Sequence, residues 1–248
     1  MVIKVSGVVI KETTVGESGK RIVVLTKEHG KMLLSARGSK NTKSKHLAST
    51  QLFAYSDFEL FEGKGFYSIT NSNIKENFFN IRNDIERLSY GAYILQITDS
   101  ISFEELVSDE VFDLLLRTLY FLSKDETSPK LITSVFIIKL LIYYGFIGGF
   151  YCCDKCEAEL DEGAYYNDIN DGILCKDCET EHDYKLDSGA VKALQYISNS
   201  DLKSLFKFNV SDGVLKQLWY ISDCLRRKHI STHMKTYDYI SNLNIDNE

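Results

Sequence analysis

The sequence predicts an α+β protein, with an N-terminal five-stranded barrel followed by an α-helical domain that contains an inserted four-cysteine ribbon. Three observations predict this order. Short alternating apolar segments separated by turns fill the first part, apolar residues then recur at helical spacing, and two Cys-x-x-Cys pairs interrupt the helical part. We therefore expect a barrel domain at residues 1–78 and a helical domain at 79–248, with the ribbon at 150–187.

Five segments of the first domain are expected to be strands. They are residues 3–10, 21–26, 31–36, 53–60 and 66–71. The connection at 38–51 is long enough for a short helix between the third and fourth strands, which is the layout of an OB-fold. Such barrels bind nucleic-acid single strands through a basic groove and aromatic stacking platforms. The available aromatic residues are Phe53, Tyr55, Phe58, Phe61, Phe66 and Tyr67. Their spacing favours a core position for most of them, and the sequence singles out none as a base-stacking residue.

Charge is divided unevenly along the chain, although the net charge is −6. Residues 1–80 contain twelve Lys and Arg against seven Asp and Glu, whereas residues 81–248 contain seventeen against twenty-eight. Because Lys and Arg neutralise phosphates whatever the base sequence, the basic part is the candidate DNA-binding region. The predicted contacts are Lys27, Lys31, Arg37, Lys40, Lys43 and Lys45. Composition alone is equally compatible with a solvated loop that only aids solubility.

The second part of the chain reads as helices. The expected segments are 75–98, 109–124, 129–146, 188–198, 211–228 and 229–243. Residues 131–150 form the longest apolar run, but Lys139 lies in its middle, which favours a buried helix over a membrane span. No apolar leader precedes the first predicted strand, so a cytoplasmic protein is expected.

Cysteine spacing gives the strongest chemical signal. Cys153, Cys156, Cys175 and Cys178 form two Cys-x-x-Cys pairs, which predict one Zn2+ held by four thiolates. Four protein ligands close the coordination shell, so the expected role is structural. Disulfides are the alternative interpretation, and Cys152 could replace Cys153 at a wider spacing. Residues 154–187 contain twelve acidic residues against three lysines, so the ribbon is not expected to grip DNA.

Several sequence runs resemble the RecO family of recombination mediators. They are LTKEHGK at 25–31, SARGSKNTKSK at 35–45 and, more loosely, HISTHMKT at 229–236. Phe58-Glu59-Leu60 and Phe66-Tyr67 are similar to the last barrel strands of that family, and Gly145-Phe146 to its approach to the zinc ribbon. The resemblance covers most of the chain.

The resemblance implies a bacterial, nucleoid-associated protein with a nonenzymatic activity. It implies binding of single- and double-stranded DNA, annealing of complementary strands without ATP and, with RecR, loading of RecA onto DNA coated by single-strand-binding protein. It also implies contact with the C-terminal tail of single-strand-binding protein, for which Arg226, Arg227 and Lys228 are candidate residues. No membrane partner is expected. A zinc-ribbon adaptor that binds only protein is the alternative, and a thiol redox protein is a third class.

Overall fold

The computed structural model describes residues 2–17, 19–36, 39, 44–63, 66–101, 108–124, 126–160, 163–230, 234 and 236–240. The chain divides into two compact units. The first unit comprises Met1–Ser123 with Met234–Glu248, and the second comprises Lys124–His233. The domain boundaries expected from the sequence stay predictions.

A closed five-stranded barrel forms the first part of the first unit. Its strands are β1 (Val2–Val15), β2 (Gly19–Thr26), β3 (Gly30–Ala36), β4 (Tyr55–Gly63) and β5 (Phe66–Glu76). They are hydrogen-bonded in the order β1-β2-β3-β5-β4, and β3 pairs with β5 in parallel while the other pairs are antiparallel. A short 3-10 helix, Ala48–Thr50, lies between β3 and β4. The predicted five-stranded barrel is therefore confirmed.

Strand β1 is longer than predicted because it pairs with two neighbouring strands. Its first half pairs with β4 and its second half with β2, and the register shifts between Val9 and Lys11. The sequence conceals the second half because residues 11–15 are exposed and carry no apolar alternation. Inside the barrel, alternate strand residues form the core together with Ala54, which directly precedes β4. The strand residues are Val5, Val9, Ile22, Val24, Met32, Leu34, Phe58 and Leu60.

The first unit also contains the helices α1 (Phe79–Asn83), α2 (Ile85–Ile101) and α3 (Asp109–Leu122), together with a described helical turn at 236–240. The prediction of one helix over 75–98 was wrong at its start, because β5 continues to Glu76 and an extended Asp84 separates α1 from α2. Gly91 lets α2 pack closely on the barrel side, since an added Cβ would lie 3.0 Å from the ring of the fully buried Phe53.

The second unit contains helices and a small sheet. The elements are α4 (Pro129–Tyr143), β6 (Tyr165–Asn167), β7 (Gly172–Leu174), β8 (Tyr184–Lys185), α5 (Ser188–Asn199) and α6 (Asp212–His229). The three short strands form an antiparallel sheet in the order β7-β6-β8. A second helix beginning at His229 was predicted, but α6 continues to that residue and the next described helical turn is 236–240. Residues 231–233, 235 and 241–243 of that prediction lie outside the described residues.

Lys139 is buried inside α4, where its Nζ donates three hydrogen bonds. The acceptors are the carbonyl oxygens of Ile197, Ser198 and Ser200, each 3.0 Å away at the C-terminal end of α5. A cation at this end complements the negative end of the helix dipole and satisfies carbonyls that have no partner within the helix. The apolar run is thus a buried helix that carries one charge-assisted cap. Within the described ranges, every helix is too short or too polar to cross a bilayer.

Candidate functional site

The four predicted cysteine ligands converge on one point of the second unit. The sulfurs of Cys153, Cys156, Cys175 and Cys178 all lie within 4.8 Å of one another, and the Cys156 and Cys175 sulfurs are 3.6 Å apart. A tetrahedral ion with Zn–S bonds of about 2.3 Å separates its sulfurs by roughly 3.8 Å. The geometry therefore fits a tetrahedral thiolate site. Cys152 is outside this group, which agrees with the choice of Cys153 from the spacing.

Backbone hydrogen bonds fold each Cys-x-x-Cys pair into a tight turn. The Cys153 N–H donates to the Ala158 carbonyl at 2.8 Å, and the Glu157 N–H donates to the Cys153 carbonyl at 2.8 Å. The second turn closes with the Cys178 N–H donating to the Cys175 carbonyl at 3.1 Å. Glu157 adopts a left-handed φ of 60°, which reverses the chain directly after Cys156. These local hydrogen bonds therefore help to set the direction of each sulfur.

The pKa values of the cysteine thiols explain why the cluster would bind a cation. Burial raises the pKa of the Cys153 thiol, but N–H groups of Cys175, Cys156 and Lys155 outweigh burial and lower that pKa to about 6. The adjacent Cys156 thiol, together with burial, raises the pKa of Cys178 to about 12. One thiolate forms readily and then opposes the ionisation of its neighbours. A divalent cation compensates the repulsion between the thiolates, because it stabilises all four negative sulfurs.

The first cysteine turn and β7 approach each other closely at Gly172. The Asp154 N–H donates to the Ile173 carbonyl at 2.9 Å, which ties the first turn to β7. An added Cβ at Gly172 would lie 1.3 Å from the Asp154 carboxylate. A side chain at position 172 would therefore force the Asp154 carboxylate out of its present position beside β7.

The basic end of α6 holds the β6–β7 turn. Lys228 Nζ donates to the carbonyls of Asp168 at 3.0 Å and Ile169 at 2.6 Å, and it lies 2.9 Å from the Asp171 carboxylate. His229 Nε2 is 2.8 Å from the same carboxylate oxygen. The side chain of Asp171 is only 8% exposed, so its charge needs these two partners.

Replacing Asp171 by asparagine, which tolerates the left-handed φ of 59° at this position, is expected to lower the free energy of unfolding by about 1–3 kcal/mol, because Lys228 and His229 lose the charge of their common acceptor. Chemical denaturation of the variant would measure this loss, and hydrogen exchange would locate it at the β6–β7 turn. Asp168→Asn is the matched control, since that side chain is exposed and only its backbone carbonyl accepts from Lys228. Equal stability of Asp171→Asn and wild type would contradict the anchoring role.

Two of the predicted DNA contacts are engaged by carboxylates of the first unit. Lys31 Nζ lies 3.1 Å from the Asp99 carboxylate and donates to the Asp99 carbonyl at 2.7 Å. Lys27 Nζ lies 2.8 Å from the Asp113 carboxylate, and this hydrogen bond raises the pKa of Lys27. A phosphate would have to compete with these carboxylates for either ammonium group.

The other predicted DNA contacts belong to the connection between β3 and β4. Lys45 is exposed, and the next residue, His46, places its Nδ1 2.6 Å from the Ser72 hydroxyl of β5. Burial, together with the charge of Lys45, lowers the pKa of His46. Arg37, Lys40 and Lys43 lie outside the described residues.

The structure sorts the six candidate aromatic residues by burial. Phe53 and Phe58 are buried, and Tyr67 is partly buried against the barrel core. Tyr55 makes an edge contact with Phe112, with ring centroids 6.1 Å apart. Phe61 and Phe66 are exposed on the barrel surface. Sequence spacing alone does not distinguish the exposed pair from the buried residues.

The three candidate partner-binding cations occupy different environments at the end of α6. Arg226 is buried, with its guanidinium 2.6 Å from the Asp223 carboxylate, and Lys228 holds the ribbon turn. The Arg227 side chain is 58% exposed, and its Nε lies 3.1 Å from the other Asp223 oxygen. Arg227 is thus the most accessible of the three.

Comparison with known proteins gives matches along nearly the whole chain. Residues 1–78 match the family model described as Recombination protein O N terminal, and residues 82–238 match that described as Recombination protein O C terminal. The chain is 36% identical to the DNA repair protein RecO of Acetivibrio thermocellus, over 97% of each chain. It is 30% identical to the protein of the same name from Alkaliphilus metalliredigens, again over 97% of each chain.

Proposed function

This chain belongs to the RecO family of recombinational DNA repair proteins, and we propose that it binds single- and double-stranded DNA and anneals complementary strands without ATP. With RecR, it helps load RecA onto DNA coated by single-strand-binding protein. The family consists of non-enzymatic recombination mediators and implies a role in the RecFOR pathway. The observation that carries the proposal is the 36% identity to a DNA repair protein RecO over 97% of both chains.

Annealing needs no catalytic group, and the excess of basic residues in the barrel domain is the property that it requires. Two polyanionic strands repel each other, and a surface of Lys and Arg lowers that repulsion while the bases stay available for pairing. The excess of basic over acidic residues in residues 1–80 supports such a surface, whereas the acidic ribbon would repel a phosphate backbone.

The proposed DNA contacts remain Lys27, Lys31, Arg37, Lys40, Lys43 and Lys45. Their expected contributions differ, because Lys27 and Lys31 already pair with Asp113 and Asp99. An ammonium that leaves a carboxylate to reach a phosphate exchanges one ion pair for another and gains little. The residues between 37 and 45 are therefore expected to supply most of the electrostatic affinity.

Replacing Lys40, Lys43 and Lys45 together by alanine is expected to weaken binding of a labelled single strand at low salt. Each lost phosphate contact reduces the slope of log affinity against log salt by about 0.7 for a single strand, so the slope falls by roughly 2. Fluorescence anisotropy across a salt series measures both quantities, and a strand-annealing assay with and without coating by single-strand-binding protein measures the consequence.

A matched control removes three exposed lysines of the second unit, Lys185, Lys192 and Lys207, and so changes the net charge equally. This control should keep the wild-type salt slope. Equal slopes of log affinity against log salt for the two triple variants would contradict the assignment of Lys40, Lys43 and Lys45 as DNA contacts. A wild-type protein that neither binds nor anneals DNA would instead favour the alternative, a zinc-ribbon adaptor that contacts only proteins.

We assign one structural Zn2+ to Cys153, Cys156, Cys175 and Cys178. Their sulfur spacing and four-thiolate chemistry support this ion, and four protein ligands leave no position for a substrate. The ion would stabilise the charge of the sulfurs and hold the two cysteine turns together, while the chain supplies their directions.

The proposed protein partners are RecR and the C-terminal tail of single-strand-binding protein, with RecA as a functional partner. Arg226, Arg227 and Lys228 are the proposed cations for the tail. Arg227 is expected to contribute most, because Arg226 is buried and Lys228 holds the ribbon turn. A cytoplasmic, nucleoid-associated location follows from DNA as the ligand.

A further inference from the structure

Large apolar side chains form an exposed band on the outer surface of the barrel. Leu33 on β3, Phe66 on β5 and Phe61 on β4 are 56%, 46% and 49% exposed, although each belongs to a hydrogen-bonded strand. Val2 on β1 is also exposed. Contiguous exposed apolar residues of this size are typical of a binding surface.

Strand register puts these residues on one face. Phe61 is the antiparallel partner of Ser68, and Val2 is the partner of Phe61. Phe66 pairs with Gly63, two positions from Phe61 along β4, so both phenylalanines project from the same side of the sheet.

Strand β3 continues the same face. Leu34 pairs with Tyr67 in parallel, and both side chains pack in the barrel interior. Their preceding neighbours, Leu33 and Phe66, consequently project outward beside each other. The outward residues thus lie on one face of β3, β5, β4 and β1, where Ser68 is opposite Phe61 and Gly63 is opposite Phe66.

Gly63 holds the ring of Phe66 close to the sheet. An added Cβ at Gly63 would lie 2.5 Å from the Phe66 ring, so the ring occupies the space above that glycine. One face of the Phe66 ring therefore packs on the backbone at Gly63, while nearly half of the Phe66 side chain remains accessible to solvent. This arrangement presents an aromatic surface at a fixed position.

Positive charge lies on the same outer face. Arg21 of β2 is exposed and pairs in register with Ser35, which pairs in turn with Ser68 of β5. Acidic charge beside the band is partly neutralised, because the Glu59 carboxylate lies 2.9 Å from Lys4 Nζ. Aromatic groups next to a cation suit a polyanion that has accessible bases.

From this geometry we infer that Leu33, Phe61 and Phe66 form a stacking platform for the unpaired bases of a single strand. The inference rests on the proposed function and adds to it the residues that contact bases. Stacking on a phenylalanine accepts any base, so binding is tolerant of sequence. Bases inside a duplex cannot reach the platform, which therefore favours single strands over double strands.

The test compares two labelled oligonucleotides of equal length and charge, one of thymidines and one containing abasic sites, bound to the full chain. Wild type is expected to bind the thymidine strand about tenfold or more tightly, because stacking on an aromatic residue contributes roughly fivefold or more per base. The double variant Phe61→Ala/Phe66→Ala should bind both strands with equal affinity and with the wild-type salt slope.

Two controls separate stacking from folding. Phe79→Ala removes a phenylalanine of α1 that is 56% exposed and lies outside the band. This variant should prefer the thymidine strand over the abasic strand as strongly as wild type does. Phe61→Trp/Phe66→Trp should preserve discrimination, and the thermal midpoint of every variant should match wild type.

A double alanine variant that still prefers the thymidine strand as wild type does would overturn the inference and leave the proposed function intact. Wild type that binds the thymidine and abasic strands equally would overturn it as well. Failure of wild type to bind either strand overturns the proposed function, and the stacking platform with it.

Discussion

Replacing Cys175 by alanine is expected to abolish stoichiometric zinc binding and to destabilise the second compact unit by on the order of 5 kcal/mol or more. The variant leaves three thiolates, and the remaining sulfurs lose the ion that compensates their mutual repulsion. The sheet of β6, β7 and β8 has only two or three residues in each strand, so its own hydrogen bonds cannot maintain it. Metal analysis after dialysis measures the stoichiometry, and hydrogen exchange of β6 and β7 measures the local unfolding.

Cys152→Ala is the matched control for this prediction. Cys152 is adjacent to Cys153 in the chain but lies outside the four-sulfur cluster, so this variant should retain one zinc per chain. Loss of zinc from Cys152→Ala, with retention in Cys175→Ala, would contradict the ligand assignment. Retention of zinc in both variants would contradict the requirement for four thiolates.

Replacing Lys139 by methionine is expected to lower the free energy of unfolding by about 2–4 kcal/mol. Methionine fills a similar volume but donates no hydrogen bond, so the carbonyls of Ile197, Ser198 and Ser200 lose the ammonium that joins them. Burial lowers the pKa of Lys139 and disfavours its charged form, which partly offsets the loss. Chemical denaturation measures the net effect.

Lys192→Met is the control for the buried lysine, because Lys192 lies on α5 and is exposed. Its stability should lie within about 0.5 kcal/mol of wild type. If Lys139→Met were as stable as Lys192→Met, the capping of α5 by a buried charge would be excluded as a source of stability.

Local pattern was sufficient for most of the elements and for the four-cysteine cluster. Alternation of period two identified five strands, because one side of each strand faces the barrel core. Two short Cys-x-x-Cys turns identified the sulfur cluster, since each pair is closed by hydrogen bonds among neighbouring residues. Pattern failed where polar residues continue a strand, as at residues 11–15 of β1 and in the start of the predicted helix at 75–98.

The sequence by itself determined the barrel, the helical region and the cysteine set, because their signals repeat within a few residues. Only the tertiary structure decided which cations are engaged and which aromatic rings are exposed. Lys31 meets Asp99 from 68 residues away, and Lys139 meets the Ile197 carbonyl from 58 residues away. Such pairs depend on how distant elements pack, so the sequence near a lysine does not reveal whether its charge is satisfied by a carboxylate, a carbonyl or a phosphate.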